Sequence, residues 1–158
     1  MILLHELYRQ KDSRSLIFQG GTALRWCYGG SRFSEDLNFV TSLAPKSVQT
    51  MLQTALRGAR NLMIAHFGPG SIEMRKKSAR GEALKCFVDF RPEAAREKIS
   101  VKLEFEELLP DKAPDVRQLV LSSLGSVAHL AATGEFRVPR ASTVLVAETP
   151  EEILSDKV

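Results

Sequence analysis

The run Phe18-Gln-Gly-Gly-Thr-Ala-Leu24 sets two glycines and a threonine directly between a short apolar stretch and a helical pattern. A strand must therefore stop and a helix start within two or three residues. Glycines at such a turn let backbone N–H groups come close to a phosphate, and a helix N-terminus adds a favourable dipole. A bare Gly-Gly-Thr is also compatible with a simple turn. The next segment narrows the choice: Arg32-Phe-Ser-Glu-Asp-Leu-Asn-Phe39 alternates like a strand. Alternate residues of a strand share a face, so Leu37 and Phe39 are assigned to the core and Asp36 and Asn38 project together from the other side. Paired oxygens at that spacing suit a divalent cation such as Mg²⁺; a half-buried strand with a polar outer face gives the same pattern.

The remaining pattern predicts one α/β domain over residues 1–158. Residues 2–10 read as an amphipathic helix, with Ile2, Leu3, Leu7 and Tyr8 as its apolar face. Ser15 to Phe18 is a strand, Ala23 to Tyr28 a helix ended by Gly29-Gly30, and Arg32 to Val40 a strand. Residues 46–66 carry a long apolar stripe from Val48 to Met63, broken by Gly68-Pro69-Gly70. Ile72 to Lys77 and Leu84 to Phe90 alternate around Ala79-Arg80-Gly81-Glu82, a hairpin pattern. Ile99 to Glu106 is a further strand. Residues 115–132 fit either a helix or strand pieces. Thr143 to Ala147 is a β-branched strand, and Thr149-Pro150-Glu151-Glu152 opens a helix with Thr149 as its N-cap. That helix runs to Val158 with only about two turns, marginal alone; it predicts a missing C-terminal part or a docked short helix. The fold class expected is α/β (α+β), a small mixed sheet flanked by helices.

Charge and cysteine content exclude little. Lys+Arg 22 against Asp+Glu 19 gives +3, too mild to mark a nucleic-acid binder. Arg75, Lys76, Lys77 and Arg80 cluster near the hairpin turn and are candidates for phosphate contact. Cys27 and Cys86 sit alone in apolar stretches and read as buried thiols rather than a disulfide or metal site. His5, His66 and His129 show no zinc-ligand spacing. No apolar run is long enough to cross a membrane and no signal-peptide layout is present, so no membrane partner and a cytoplasmic location are expected. Trp26 and Phe33 read as core residues rather than base-stacking platforms.

Taken together, Phe18, Gly20, Gly21, Thr22, Ala23, Leu24, Tyr28, Gly29, Arg32, Phe33, Ser34, Glu35, Asp36, Leu37 and Phe39 follow a pattern that resembles the AbiEii/AbiGii-type toxins of abortive-infection toxin–antitoxin systems, a branch of the DNA polymerase β-like nucleotidyltransferases. Val101-Lys-Leu-Glu-Phe105 is similar to that family's third-carboxylate strand, and Glu151-Glu-Ile-Leu-Ser-Asp-Lys157 to its lysine helix. The resemblance implies transfer of a nucleoside monophosphate from a nucleoside triphosphate to an acceptor hydroxyl of RNA, with tRNA as one candidate. It also implies Mg²⁺ or Mn²⁺ as cofactor and a cognate antitoxin protein as partner. It assigns Asp36, Asn38 and Glu104 to catalysis and metal binding, and Gly20, Gly21, Thr22 and Lys157 to the nucleotide. Asp89 is the rival for the third carboxylate; the local pattern favours Glu104. Asn38 stands where the family carries a second aspartate, and an amide oxygen brings no negative charge. The family also continues into a helical region beyond its lysine helix. A catalytically silent nucleotide- or antitoxin-binding protein and a small-molecule nucleotidyltransferase are the alternative readings.

Overall fold

The computed structural model describes residues 1–31, 33–77, 84–136 and 142–155. Arg32, the hairpin turn with Arg80, and Lys157 lie outside the described residues.

Seven strands form one mixed sheet: β1 (Leu16–Gln19), β2 (Leu37–Thr41), β3 (Gly70–Lys77), β4 (Leu84–Pro92), β5 (Ile99–Glu107), β6 (Val116–Val120) and β7 (Val144–Glu148). Their order is β3-β4-β5-β2-β1-β7-β6. The β2–β5 and β1–β7 pairs are parallel and the others antiparallel. The helices are α1 (Ile2–Tyr8), α2 (Gly20–Tyr28), α3 (Pro45–Phe67), α4 (Gly125–Ala132) and α5 (Pro150–Ser155). The expected α/β fold, a mixed sheet flanked by helices, is the one found.

Cross-strand register explains the centre of the sheet. Phe18, Phe39 and Phe105 are partners across β1, β2 and β5, fully or almost fully buried. Their ring centroids lie 5.4 and 5.0 Å apart, so one aromatic row holds three strands together. Side chains alternate across a sheet. The neighbouring row, Gln19, Asn38 and Glu104, therefore faces the opposite side.

Four expectations change. The first helix ends at Tyr8, and all seven of its residues are buried, His5 and Glu6 included. It packs along α3. His5 Nδ1 lies 2.9 Å from the Thr143 hydroxyl, and Arg9 donates to Glu6 at 2.9 Å. Partners for its polar groups, rather than a solvated face, make full burial tolerable. The second helix begins at Gly20, three residues before the periodic apolar pattern. Residues 33–36 do not belong to β2. The partner β1 turns into α2 at Gly20, leaving no strand on that side to pair with them; instead the Thr22 hydroxyl binds the carbonyl of Asp36. Phe33 consequently escapes the alternation and is 68% exposed, not core. Residues 115–132 divide into β6, a short 3-10 turn and α4.

Candidate active site

The glycine turn, the Asp36–Asn38 segment and β5 converge because Gln19, Asn38 and Glu104 are lateral neighbours on three adjacent strands. Gly20 has φ of +80°, and a Cβ there would lie 3.0 Å from the Asn38 amide nitrogen. A side chain at this position would be strained and would push on Asn38. Glycine thus allows the turn and the close approach of the Asn38 side chain at once.

Thr22 is fully buried. Its hydroxyl donates to the Asp36 carbonyl at 2.6 Å, and the Ser34 Oγ lies 3.0 Å from the Thr22 Oγ1. This bond ties the first turn of α2 to the residue before β2 and so sets where Asp36 stands.

The Asp36 side chain is about half-exposed and Glu104 largely covered. Lys102 lies between them, its Nζ 2.6 Å from Glu104 Oε1 and 3.4 Å from Asp36 Oδ2. The carboxylates are therefore no further apart than the sum of those distances. Lys85 adds a second cation, 3.4 Å from Glu104 Oε1. Lys102 beside Glu104 holds that carboxyl below its ordinary pKa, with Lys85 helping. Glu104 in turn raises the Lys102 ammonium above its ordinary value, with Asp36 adding to the effect.

Asn38 Oδ1 is buried and has no hydrogen-bond partner among the described residues. A buried oxygen left without a hydrogen-bond partner, next to Glu104 on the neighbouring strand, could serve as a ligand to a cation. Asp36, Asn38 and Glu104 thus offer three oxygen ligands of the hard kind that Mg²⁺ and Mn²⁺ take. Histidine, cysteine and carboxylate groups alone make no three-membered metal cluster among the described residues. A set of three oxygens would need the Asn38 amide, and Lys102 occupies the space between the two carboxylates.

A cavity of about 350 Å³ opens beside this row, lined by Gln19, Gly20, Asn38, Glu104, Glu106, Glu148 and Ile153. Glu106 was legible in the sequence, two positions after Glu104 on the same strand face. Glu148 was not: it arrives through the β1–β7 pairing, in which Phe18 faces Ala147. The Tyr28 hydroxyl donates to the Glu148 carbonyl at 2.7 Å, joining the end of α2 to the end of β7. α5 starts at this rim, with the Thr149 hydroxyl accepting from the Glu152 N–H at 3.4 Å.

Asp89 does not join the site. It is fully buried on the β3–β4–β5 side of the sheet and bound by Arg75, Lys98 and Ser100 at 2.7, 2.9 and 2.6 Å. Those partners, Arg75 foremost, hold its carboxyl far below the ordinary range. Cys86 is buried and Cys27 half-buried, both free.

Residues 2–158 match the model of the AbiEii family, described as nucleotidyl transferase AbiEii toxin of type IV toxin–antitoxin systems. The chain belongs to this family. The fold agrees with that of JHP933 from Helicobacter pylori at a TM-score of 0.56 and 18% identity, over 99% of this chain and 51% of the other. A crystal structure of a "putative nucleotidyltransferase" from H. pylori gives a TM-score of 0.53 and 18% identity, over 99% and 53%. This AbiEii-family chain spans about half the length of these structures. No curated protein matches its sequence. No helix among the described residues is long and apolar enough to cross a membrane.

Proposed function

We propose that this AbiEii-family chain carries the nucleotide-transfer centre of a toxin that moves a nucleoside monophosphate from a nucleoside triphosphate onto an RNA hydroxyl, with tRNA as one candidate acceptor. The supporting observation is the single row formed by the glycine turn, Asn38 and Glu104, with Asp36 tied beside it through Thr22. In this reaction the acceptor oxygen bonds to the α-phosphorus, the bond from that phosphorus to the bridging oxygen breaks, and pyrophosphate leaves. Such transfer needs alignment and charge neutralisation more than covalent chemistry.

Asp36, Asn38 and Glu104 are the residues that would hold Mg²⁺ or Mn²⁺, whose charge would offset that of the transferring phosphoryl group. The backbone of Gly20, Gly21 and Thr22 would bind the triphosphate. The Thr22 hydroxyl is already engaged by the Asp36 carbonyl, so its share of that contact falls to its N–H. Glu104 would accept the acceptor's proton. Lys102 and Lys85 keep it ionised and so able to accept one, while lowering its basicity. Lys157 would contact phosphate as a point charge.

The test is incubation of the protein with labelled nucleoside triphosphates, Mg²⁺ and total RNA. Label should appear in RNA and disappear in Asp36→Ala and Glu104→Gln. Label on small acceptors but never on RNA would favour a small-molecule nucleotidyltransferase. Nucleotide binding with no transfer to any acceptor would favour the silent binding protein, the reading that the uncharged Asn38 supports. An antitoxin protein remains the partner the family suggests.

A further inference from the structure

The site row does not stop at Glu104. Across β4 and β3 it continues as Lys85 and Lys77. The adjacent row on the same face runs Lys102, Phe87, Arg75. Four cations thus stand on one face between the edge strand and the Asp36–Glu104 pair. Arg75 and Lys85 are each 48% exposed. The Arg75 guanidinium lies 5.1 Å from the centre of the Phe87 ring and the Lys77 ammonium 5.8 Å, so the aromatic ring props both cations above the sheet. Arg75 is also anchored by the buried Asp89. The acids that β3 and β4 place on this face, Glu73 and Asp89, lie at the other end of the hairpin, so charge is graded towards the catalytic row. The opposite face of the same strands is apolar, with Leu84, Cys86, Val88 and Phe90 buried, and α3 packs against these strands.

We infer that this cationic strip is the track for the acceptor, binding the phosphates of a single-stranded RNA end and leading its terminal hydroxyl to Glu104. The inference rests on RNA being the acceptor. Neighbouring strands lie about 4.8 Å apart, so from β3 to β2 the strip spans roughly 14 Å, room for a short run of phosphates. Its charge complements a polyanion and its cations are held in place, which a nonspecific solvated surface does not require. The mild net charge of +3 does not disclose this patch, which strand register assembles from β3, β4 and β5; Arg75, Lys85 and Lys102 also hold acids on the same face.

The protein supplies its own control. Lys76 sits between Arg75 and Lys77 in sequence but pairs with buried Cys86, placing it on the other face. Binding of a fluorescently labelled single-stranded RNA is measured by anisotropy across a salt series, without nucleotide or metal. Lys77→Gln and Phe87→Leu, each with its melting temperature checked, should weaken binding. Lys77→Gln should also flatten the log–log salt slope by about 0.7, one phosphate contact on a single strand. Lys76→Gln should bind as the parent does. Equal loss in Lys76→Gln and Lys77→Gln overturns the track, as does unchanged affinity in Lys77→Gln, which would leave the strip to an acidic protein partner. A parent that binds no RNA overturns it too. If label enters RNA while Lys77→Gln affects neither affinity nor the KM for RNA, the track is wrong and RNA transfer stands. If RNA binds along the strip yet receives no label, RNA transfer fails on its own.

Discussion

The Lys102 ammonium lies 2.6 Å from Glu104, and the same nitrogen reaches Asp36 at 3.4 Å. One ammonium is therefore shared by the two carboxylates proposed to hold a divalent ion. Lys102→Met should leave them to repel each other, lowering the melting temperature without metal, and should strengthen Mn²⁺ binding by about tenfold, since an opposing charge is removed at close range. Titration of Mn²⁺ followed by electron paramagnetic resonance reads the affinity. Unchanged affinity would mean that Lys102 does not compete with the ion.

Asn38→Asp returns a full negative charge to the orphaned oxygen position. Mn²⁺ should bind more tightly and nucleotide transfer to RNA should rise, on a scale of about 10²–10³, the usual effect of one oriented charge-stabilising group. Equal transfer rates in the two proteins would show that the amide suffices.

Gly20→Ala should cost about 1–2 kcal/mol, since a side chain at positive φ is strained, and the new methyl would press on Asn38. Thermal unfolding measures the first effect. Triphosphate binding by calorimetry measures the second, and should weaken in the folded variant. Full retention of affinity would remove the glycine turn from the nucleotide site.

Asp89 predicts acid sensitivity. Its folded pKa is depressed well below the ordinary carboxylate range by Arg75, Ser100 and Lys98. The stabilisation is then complete above that range and is lost as pH falls below about 4 and through the lower folded value. Asp89→Asn should destabilise by about 1.5–3 kcal/mol at pH 7, nearer the lower end because Arg75 and Lys98 are partly exposed and can turn to water. The gap between parent and variant in urea unfolding should shrink as the pH is taken below about 4. A constant gap would remove the ionised carboxylate as the cause.

Burial pushes the thiol of Cys86 up to about 11 and that of Cys27 up to about 12. Neither is a thiolate near neutral pH, so both should resist a disulfide-exchange reagent at pH 8 until urea unfolds the chain. Rapid reaction of the folded protein would contradict their placement.

Local sequence determined much of this protein. Alternation assigned Leu37 and Phe39 to the core and Asn38 to the other face, and periodicity marked α3. The glycine–threonine turn stands out because an apolar strand gives way to a helix within a few residues, whereas only the family resemblance favours Glu104 over Asp89. Alternation failed where no partner strand was present: residues 33–36 look like β2 but are bound by Thr22, and Phe33 is exposed as a result. Alternation already put Lys102 on the Glu104 face as a candidate ion-pair partner, and the pair forms; only the tertiary structure decided the rest of what surrounds the carboxylates. Lys102 and Asp36 are 66 positions apart, and Lys85 meets Glu104 through the β4–β5 register. Pairing register depends on how whole strands bury their faces against one another, and no local run of residues contains that information.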